Sequence, residues 1–191
     1  MILEKLRKCL ISEKRETIFD IIVFGSLVKG KQAPRDIDVL VIFLHGTLKE
    51  RLDIIQEIKN KLKTKIDANI DANIDIKQAL LKDIFSPEFL ARTGILLEGY
   101  SITHNKKFCK ILGFNSCTIF WYNLKDLSHI QKVKFNYILA GRNQKGIIKL
   151  FQGERLASGA VKIPIEHSLE FEEVLKKNKV NYNKRNILEE I

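Results

Sequence analysis

The feature that most narrows what this chain can fold into is the stretch Ile21 to Phe43, I-I-V-F-G-S-L-V-K-G-K-Q-A-P-R-D-I-D-V-L-V-I-F. Two runs rich in β-branched residues, Ile18 to Phe24 and Val39 to Phe43, each stop at a Gly or a turn cluster and read as buried strands. Gly25 at the end of the first strand lets the backbone approach a ligand closely, and Ser26 adds a hydroxyl able to donate to a phosphate oxygen. Asp36 and Asp38 stand two apart at the start of the second strand. Strand alternation sends both carboxylates to one face, about 6–7 Å apart along the backbone. Two hard oxygen ligands on one face suit Mg²⁺, and carboxylates beside a buried strand are costly without a cation.

Taken together, the Gly25-Ser26 turn, the nine residues after it and Asp36-Ile37-Asp38 resemble the signature of the DNA polymerase β-like nucleotidyltransferase superfamily, especially its minimal nucleotidyltransferase members. The resemblance covers roughly residues 15 to 104. It implies an α/β (α+β) fold with a nucleotidyltransferase-type mixed β-sheet and flanking helices. It also implies transfer of a nucleoside monophosphate from a nucleoside triphosphate, with ATP the first choice, to an acceptor hydroxyl, using two Mg²⁺ ions. In that scheme Asp36 and Asp38 bridge both ions, and a third carboxylate completes one of them and accepts the hydroxyl proton. Gly25 and Ser26 hold the β- and γ-phosphates, with Lys29, Lys31 or Arg35 as charge-neutralising partners. One position departs from the family, in which Ser often precedes the first Asp; here that residue is Arg35.

The resemblance implies that the third carboxylate lies on a strand after the next helix. That helix is expected from about 48 to 63, opened by the capping-box pattern Thr47-Leu48-Lys49-Glu50, with Leu48, Leu52, Ile55, Ile58 and Leu62 on one face. In Ile66 to Lys77 the tetrapeptide I-D-A-N occurs twice and is followed by I-D-I-K. The even repeat puts Asp67, Asn69, Asp71, Asn73 and Asp75 on one strand face. Successive aspartates sit about 13 Å apart, so only one reaches a metal held by Asp36 and Asp38. Asp75 is the choice because the residues after it, Gln78 to Phe85 and then Pro87 to Gly99, resemble the helix and final strand that come after the third carboxylate in the family. Asp71 and then Asp67 are the alternatives.

The chain of 191 residues has room for a domain plus an extension, expected as a nucleotidyltransferase domain at 1–104 and a small basic α+β module at 105–191. Charge separates them. Residues 1 to 104 carry 17 Lys/Arg against 15 Asp/Glu, for +2; residues 105 to 150 carry 9 against 1, for +8; the remainder balances. A positive field of that kind attracts polyanions. Cys9, Cys109 and Cys117 lack C-x-x-C spacing and read as buried structural thiols. No apolar run approaches the ~20 residues of a bilayer span, so a cytoplasmic protein without a membrane partner is expected.

Around these motifs the patterning predicts a short helix over residues 2 to 12, and the resemblance implies a helix within Gln78 to Phe85. Another is expected from about 87 to 98, closing the first domain at Gly99. In the second part it predicts a strand or aromatic anchor at Phe114 to Leu124 and a helix from about 127 or 128 to Ala140. A hairpin of Lys145 to Phe151 with Ala160 to Ile165 comes next, its second strand demoted to an edge by Pro164, then a helix from Leu169 to Lys177. Basic residues including Lys106, Lys107, Lys110, Lys132, Lys134, Arg142, Lys145 and Lys149 are interleaved with Phe108, Trp121, Phe135 and Tyr137. Cations that track a backbone, with aromatics for stacking, are how single-stranded nucleic acid is held. Lys132, Lys134, Arg142 and Lys145 are the candidate contacts to RNA or DNA. Two other readings share these residues: a protein-adenylylating, antitoxin-like transferase acting on a partner protein, and an inactive nucleic-acid-binding regulator.

Overall fold

The structure, a computed structural model, describes residues 2–13, 15–29, 34–65 and 73–191. The chain forms two compact units, Met1–Leu112 and Gly113–Ile191. Among the described residues no helix is long and apolar enough to cross a membrane.

In the first unit, helix α1 (Ile2–Leu10) leads to strands β1 (Ile18–Phe24) and β2 (Asp36–Phe43), which pair antiparallel with Phe24 opposite Asp38. Helix α2 (Leu48–Lys65) then leads to β3 (Asn73–Leu80), which pairs with β2 in parallel. The helices α3 (Leu81–Ile84) and α4 (Arg92–Glu98), the short strands β4 (Tyr100–Ser101) and β5 (Lys106–Lys107) and the single turn α5 (Phe108–Ile111) complete the unit. The result is a mixed sheet in the order β3-β2-β1-β4-β5. Both faces of β2 are covered: Ile37, Val39, Val41 and Phe43 pack with Leu6, Leu10, Ile58 and Leu62, while Leu40 and Ile42 pack with Ala79, Ile84, Ile95 and Phe108. Burial on both sides is why V-L-V-I-F reads as an unbroken apolar run.

Three local expectations change here. Leu48 and Leu52 are 56% and 50% exposed, whereas Ile58 and Leu62 are in the core. At 3.6 residues per turn Leu52 lies about 120° around the helix from Ile58, outside the buried stripe. Residues Gln78 to Leu80 are strand rather than helix, because parallel pairing with β2 continues to Phe43 opposite Leu80. The helix expected from 87 begins at Arg92, since residues 86–92 are taken up by successive turns, Phe89 N donating to Ser86 O and Arg92 N to Phe89 O.

A buried carboxylate ties β1 to the end of the unit. Asp20 Oδ1 accepts from Ile21 N at 2.7 Å and Thr103 N at 3.4 Å, and Oδ2 lies 3.4 Å from His104 Nδ1. Ser101 Oγ is 3.0 Å from that same nitrogen. A Ser–His–Asp relay needs both imidazole nitrogens, so this trio is a structural tie.

In the second unit, β6 (Phe114–Asn123) precedes helices α6 (His129–Ala140) and α7 (Ile147–Leu150), strands β7 (Glu154–Ala157) and β8 (Ala160–Pro164), helix α8 (Ser168–Lys177) and β9 (Asn181–Glu190). The sheet is antiparallel in the order β7-β8-β6-β9. Ser128 caps α6 in a capping box with Gln131, and the helix stops at Gly141. Phe120 and Tyr122 of β6 pack with Phe135 and Leu139 of α6 and Phe171 and Leu175 of α8.

The hairpin is displaced from its expected place. Residues 147–150 are helical, and the hairpin is β7 with β8, turning at Ser158-Gly159. Its second strand is internal, bonded to β6 as well as β7; Pro164 is tolerated because it is the strand's last residue. Strand β9, unanticipated in N-Y-N-K-R-N-I-L-E-E, pairs along all of β6 from Asn123–Asn181 to Phe114–Glu190.

Glu172 of α8 links the helix to β9, accepting from Tyr182 Oη at 2.6 Å and pairing with Lys184 at 2.5 Å and Lys176 at 3.0 Å. Burial alone would raise this carboxyl, but the hydrogen bonds from Lys184, Tyr182 and Lys176 outweigh it and hold it down to about 2. A depressed carboxylate stabilises the fold fully above its unfolded pKa and loses that contribution as pH falls through the folded value. Glu172→Gln should therefore cost the second unit about 1–3 kcal/mol at pH 7, an effect that fades between about pH 4.5 and pH 2. Denaturant titrations with the fluorescence of Trp121, the one tryptophan, as the signal check this; an unchanged midpoint at pH 7 would contradict it.

Candidate functional site

The turn and the carboxylates meet at one edge of the first sheet. Gly25 opens a short 3-10 turn, Gly25–Leu27, with φ of +81°. A Cβ at Gly25 would stand 2.6 Å from Asp38 Oδ2, so the Asp38 carboxylate fills the space that any other residue's side chain would need. Asp38 is next to Asp75 in the parallel β2–β3 register, and Asp36 is next to Asn73. Strand alternation puts Asp36, Asp38 and Asp75 on the same face, and Lys77 with them.

Burial pushes the Asp38 carboxyl above its ordinary value, Lys77 pulls it back, and Asp75 and then Asp36 push it up further. Three carboxylates against one lysine leave a local excess of negative charge, a donor set of hard oxygens that suits a divalent cation. Among the described residues no three His, Cys, Asp or Glu side chains close around a single point, and Asp75 Oδ2 instead lies 3.1 Å from Lys77 Nζ. A third-ligand role for Asp75 would use its other oxygen or draw the carboxylate away from Lys77.

The other candidates lie around this edge. Ser26 sits within the turn and is half-buried, and Lys29, just past it, pairs with Glu98 of α4 at 2.7 Å. Arg35 is exposed immediately before β2, and its carbonyl accepts from Asn73 N. Lys31, Asp67 and Asp71 lie outside the described residues. Sequence reasoning missed Lys77 and Glu98. Period-two alternation from Asp75 signals Lys77, whereas nothing in the sequence connects Glu98 to Lys29.

Of the basic residues, Lys106, Lys107 and Lys110 belong to the first unit. In the second, Lys132 and Lys134 are on α6, and Arg142 and Lys145 are in the loop before α7; among the described residues none of these four is in an ion pair. The interleaved aromatics divide. Phe108 and Phe135 are core, whereas Tyr137 and Trp121 remain 45% and 42% exposed. The three cysteines are buried.

In the metal-free protein, Asp38 should titrate above an ordinary aspartate in a carboxyl-carbon NMR titration. Asp75→Asn should lower its midpoint and Lys77→Met raise it, because these neighbours act on Asp38 with opposite signs. Equal midpoints in all three proteins would mean that the side chains are not electrostatically coupled.

No curated protein matches the chain. Residues 4–90 match the family described as "Polymerase beta, Nucleotidyltransferase", a span that runs from α1 through β3 and so includes the Gly25 turn and all three aspartates. Over those residues the first unit is similar to the nucleotidyltransferase domain of the polymerase β-like superfamily.

Proposed function

We propose that the protein transfers a nucleoside monophosphate from ATP to a hydroxyl on a nucleic acid, with release of pyrophosphate. One observation carries this reading: the Asp38 carboxylate packs directly against the Gly25 turn, so a seat for phosphate and a carboxylate set share one edge. Asp36 and Asp38 would hold the metal ions, with Asp75 as third ligand. A pair of Mg²⁺ ions there supplies Lewis acidity at the attacking hydroxyl and neutralises the leaving pyrophosphate.

The remaining work falls to this chain's own residues. The Gly25 turn lets the backbone approach the β- and γ-phosphates, and Ser26 Oγ donates to one of them. Lys29, Lys31 and Arg35 would offset phosphate charge; Lys29 must exchange Glu98 for the nucleotide to do so. The acceptor oxygen forms its bond to the α-phosphorus while the bond from that phosphorus to the pyrophosphate oxygen breaks. The hydroxyl proton passes to the Asp75 carboxylate. The second unit, with Lys132, Lys134, Arg142 and Lys145 free of carboxylate partners among the described residues, would hold the acceptor.

Asp36→Asn and Asp38→Asn should each lower transfer at least about 100-fold and abolish the rise in Tm that ATP with Mg²⁺ gives the wild type. A raised Asp pKa means that the charged form burdens the fold as pH climbs through the folded value. Asp38→Asn should thus keep or raise Tm at pH 7 while losing activity. Transfer within a few-fold of wild type in either variant would remove the assignment.

For the acceptor, single-stranded RNA affinity should fall steeply with salt, by a log–log slope of roughly −0.7 per neutralised phosphate. The combined change Lys132→Ala, Lys134→Ala and Arg142→Ala should flatten that slope by about 2. Its ATP-induced Tm shift should match the wild type. An unaltered slope would turn the acceptor reading toward a partner protein.

A further inference from the structure

We propose that the loop Gly141–Gly146, together with Tyr137 of α6, docks an unpaired nucleobase of single-stranded nucleic acid. The loop and the end of α6 border an open surface depression of about 440 Å³, lined by Tyr137, Arg142, Asn143, Gln144 and Lys145 among others. That volume falls within the range of small-ligand sites, roughly 300–1,000 Å³. This inference deepens the nucleic-acid acceptor reading and rests on it.

The loop is pinned at both ends by glycines. A Cβ at Gly141, where φ is +82°, would lie 2.0 Å from Gln144 O, and one at Gly146 would lie 2.3 Å from the backbone of Ala140 and Gly141. Close backbone packing at both glycines holds the loop while Arg142, Asn143, Gln144 and Lys145 stay exposed. The Arg142 guanidinium lies over the Tyr137 ring, 5.2 Å from its centroid. A planar cation on an exposed aromatic is a stack that a base can join. The amides of Asn143 and Gln144 each bring a donor and an acceptor for the edge of that base.

Charge selects the occupant. From Leu127 to Gly153 the chain has Lys132, Lys134, Arg142, Lys145 and Lys149 and no Asp or Glu. Among the described residues none of these cations is in an ion pair. An acidic protein surface would answer the charge alone; the ring, the amides and the cations together answer a base with phosphates on either side. The other exposed aromatic among the described residues of the second unit, Trp121, is not part of this site. It alternates with Phe120 and Tyr122, which face α6, and so projects from the opposite side of the sheet.

The test is anisotropy of a fluorescein-labelled twelve-nucleotide RNA with the full-length protein, without ATP or Mg²⁺, so that it does not depend on chemistry in the first unit. Tyr137→Ala should weaken binding at least about fivefold with its salt slope kept, and Tyr137→Phe should restore it to within about twofold. Changing Asn143 and Gln144 together to Ala should even out affinities among homopolymers. Asp38→Asn should bind RNA normally, which separates failure of this site from failure of the transferase reading. Wild-type affinity in Tyr137→Ala would overturn the proposal, as would equal affinity for a duplex of matching length. So would RNA-dependent quenching of Trp121 that persists in Tyr137→Ala, since the strand would then lie on the other sheet face.

Discussion

Parallel pairing of β2 with β3 is the constraint on which the candidate active site depends. Antiparallel β1 alone brings the Gly25 turn beside Asp38, but it contributes no third carboxylate. Asp75 reaches Asp38 because α2 carries the chain back to start β3 in the same direction as β2, in a register that sets the two aspartates side by side. A slip of one residue would turn Asp75 into the apolar layer with Ile74 and Ile76. The apolar layers on both sides of β2 hold that register, so core packing and carboxylate geometry are one requirement.

The electrostatics arise from that pairing. Burial of the Asp38 carboxyl, with Asp75 and then Asp36 adding to it, favours its protonated form and holds that proton to higher pH. Lys77, paired with Asp75, offsets part of the carboxylate charge, while Lys29 beside the turn is already paired with Glu98. The Lys77–Asp75 pair is about half exposed and of low individual strength, which suits a contact that a charged ligand must displace.

The second unit handles charge differently. Most of its carboxylates are on α8 and β9, where Glu172 binds Tyr182, Lys184 and Lys176 and closes the sheet's last strand onto a helix. Around α6 and the loop after it the cations have no such partners among the described residues. One unit thus uses part of its charge to hold itself together and leaves another part available to an anion.

Local chemistry determined much of this in advance. The strands at Ile18–Phe24 and Val39–Phe43, the α2 capping box and the helix ending at Ala140 all rest on signals within a few residues, so they were legible in the sequence. The carboxylate pair was legible for the same reason, since alternation along one strand sets its face. Tertiary structure decided what depends on a distant partner. Gln78 to Leu80 became strand because β2 was there to pair with, and N-Y-N-K-R-N-I-L-E-E, with no apolar alternation, became β9 because β6 offered a full-length edge. Likewise Phe135 was buried and Tyr137 left exposed by the direction from which α6 meets its sheet, and Lys29 met Glu98 only because α4 packs near the Gly25 turn. Backbone hydrogen bonds between strands carry no side-chain signature, which is why these pairings were not visible in the sequence.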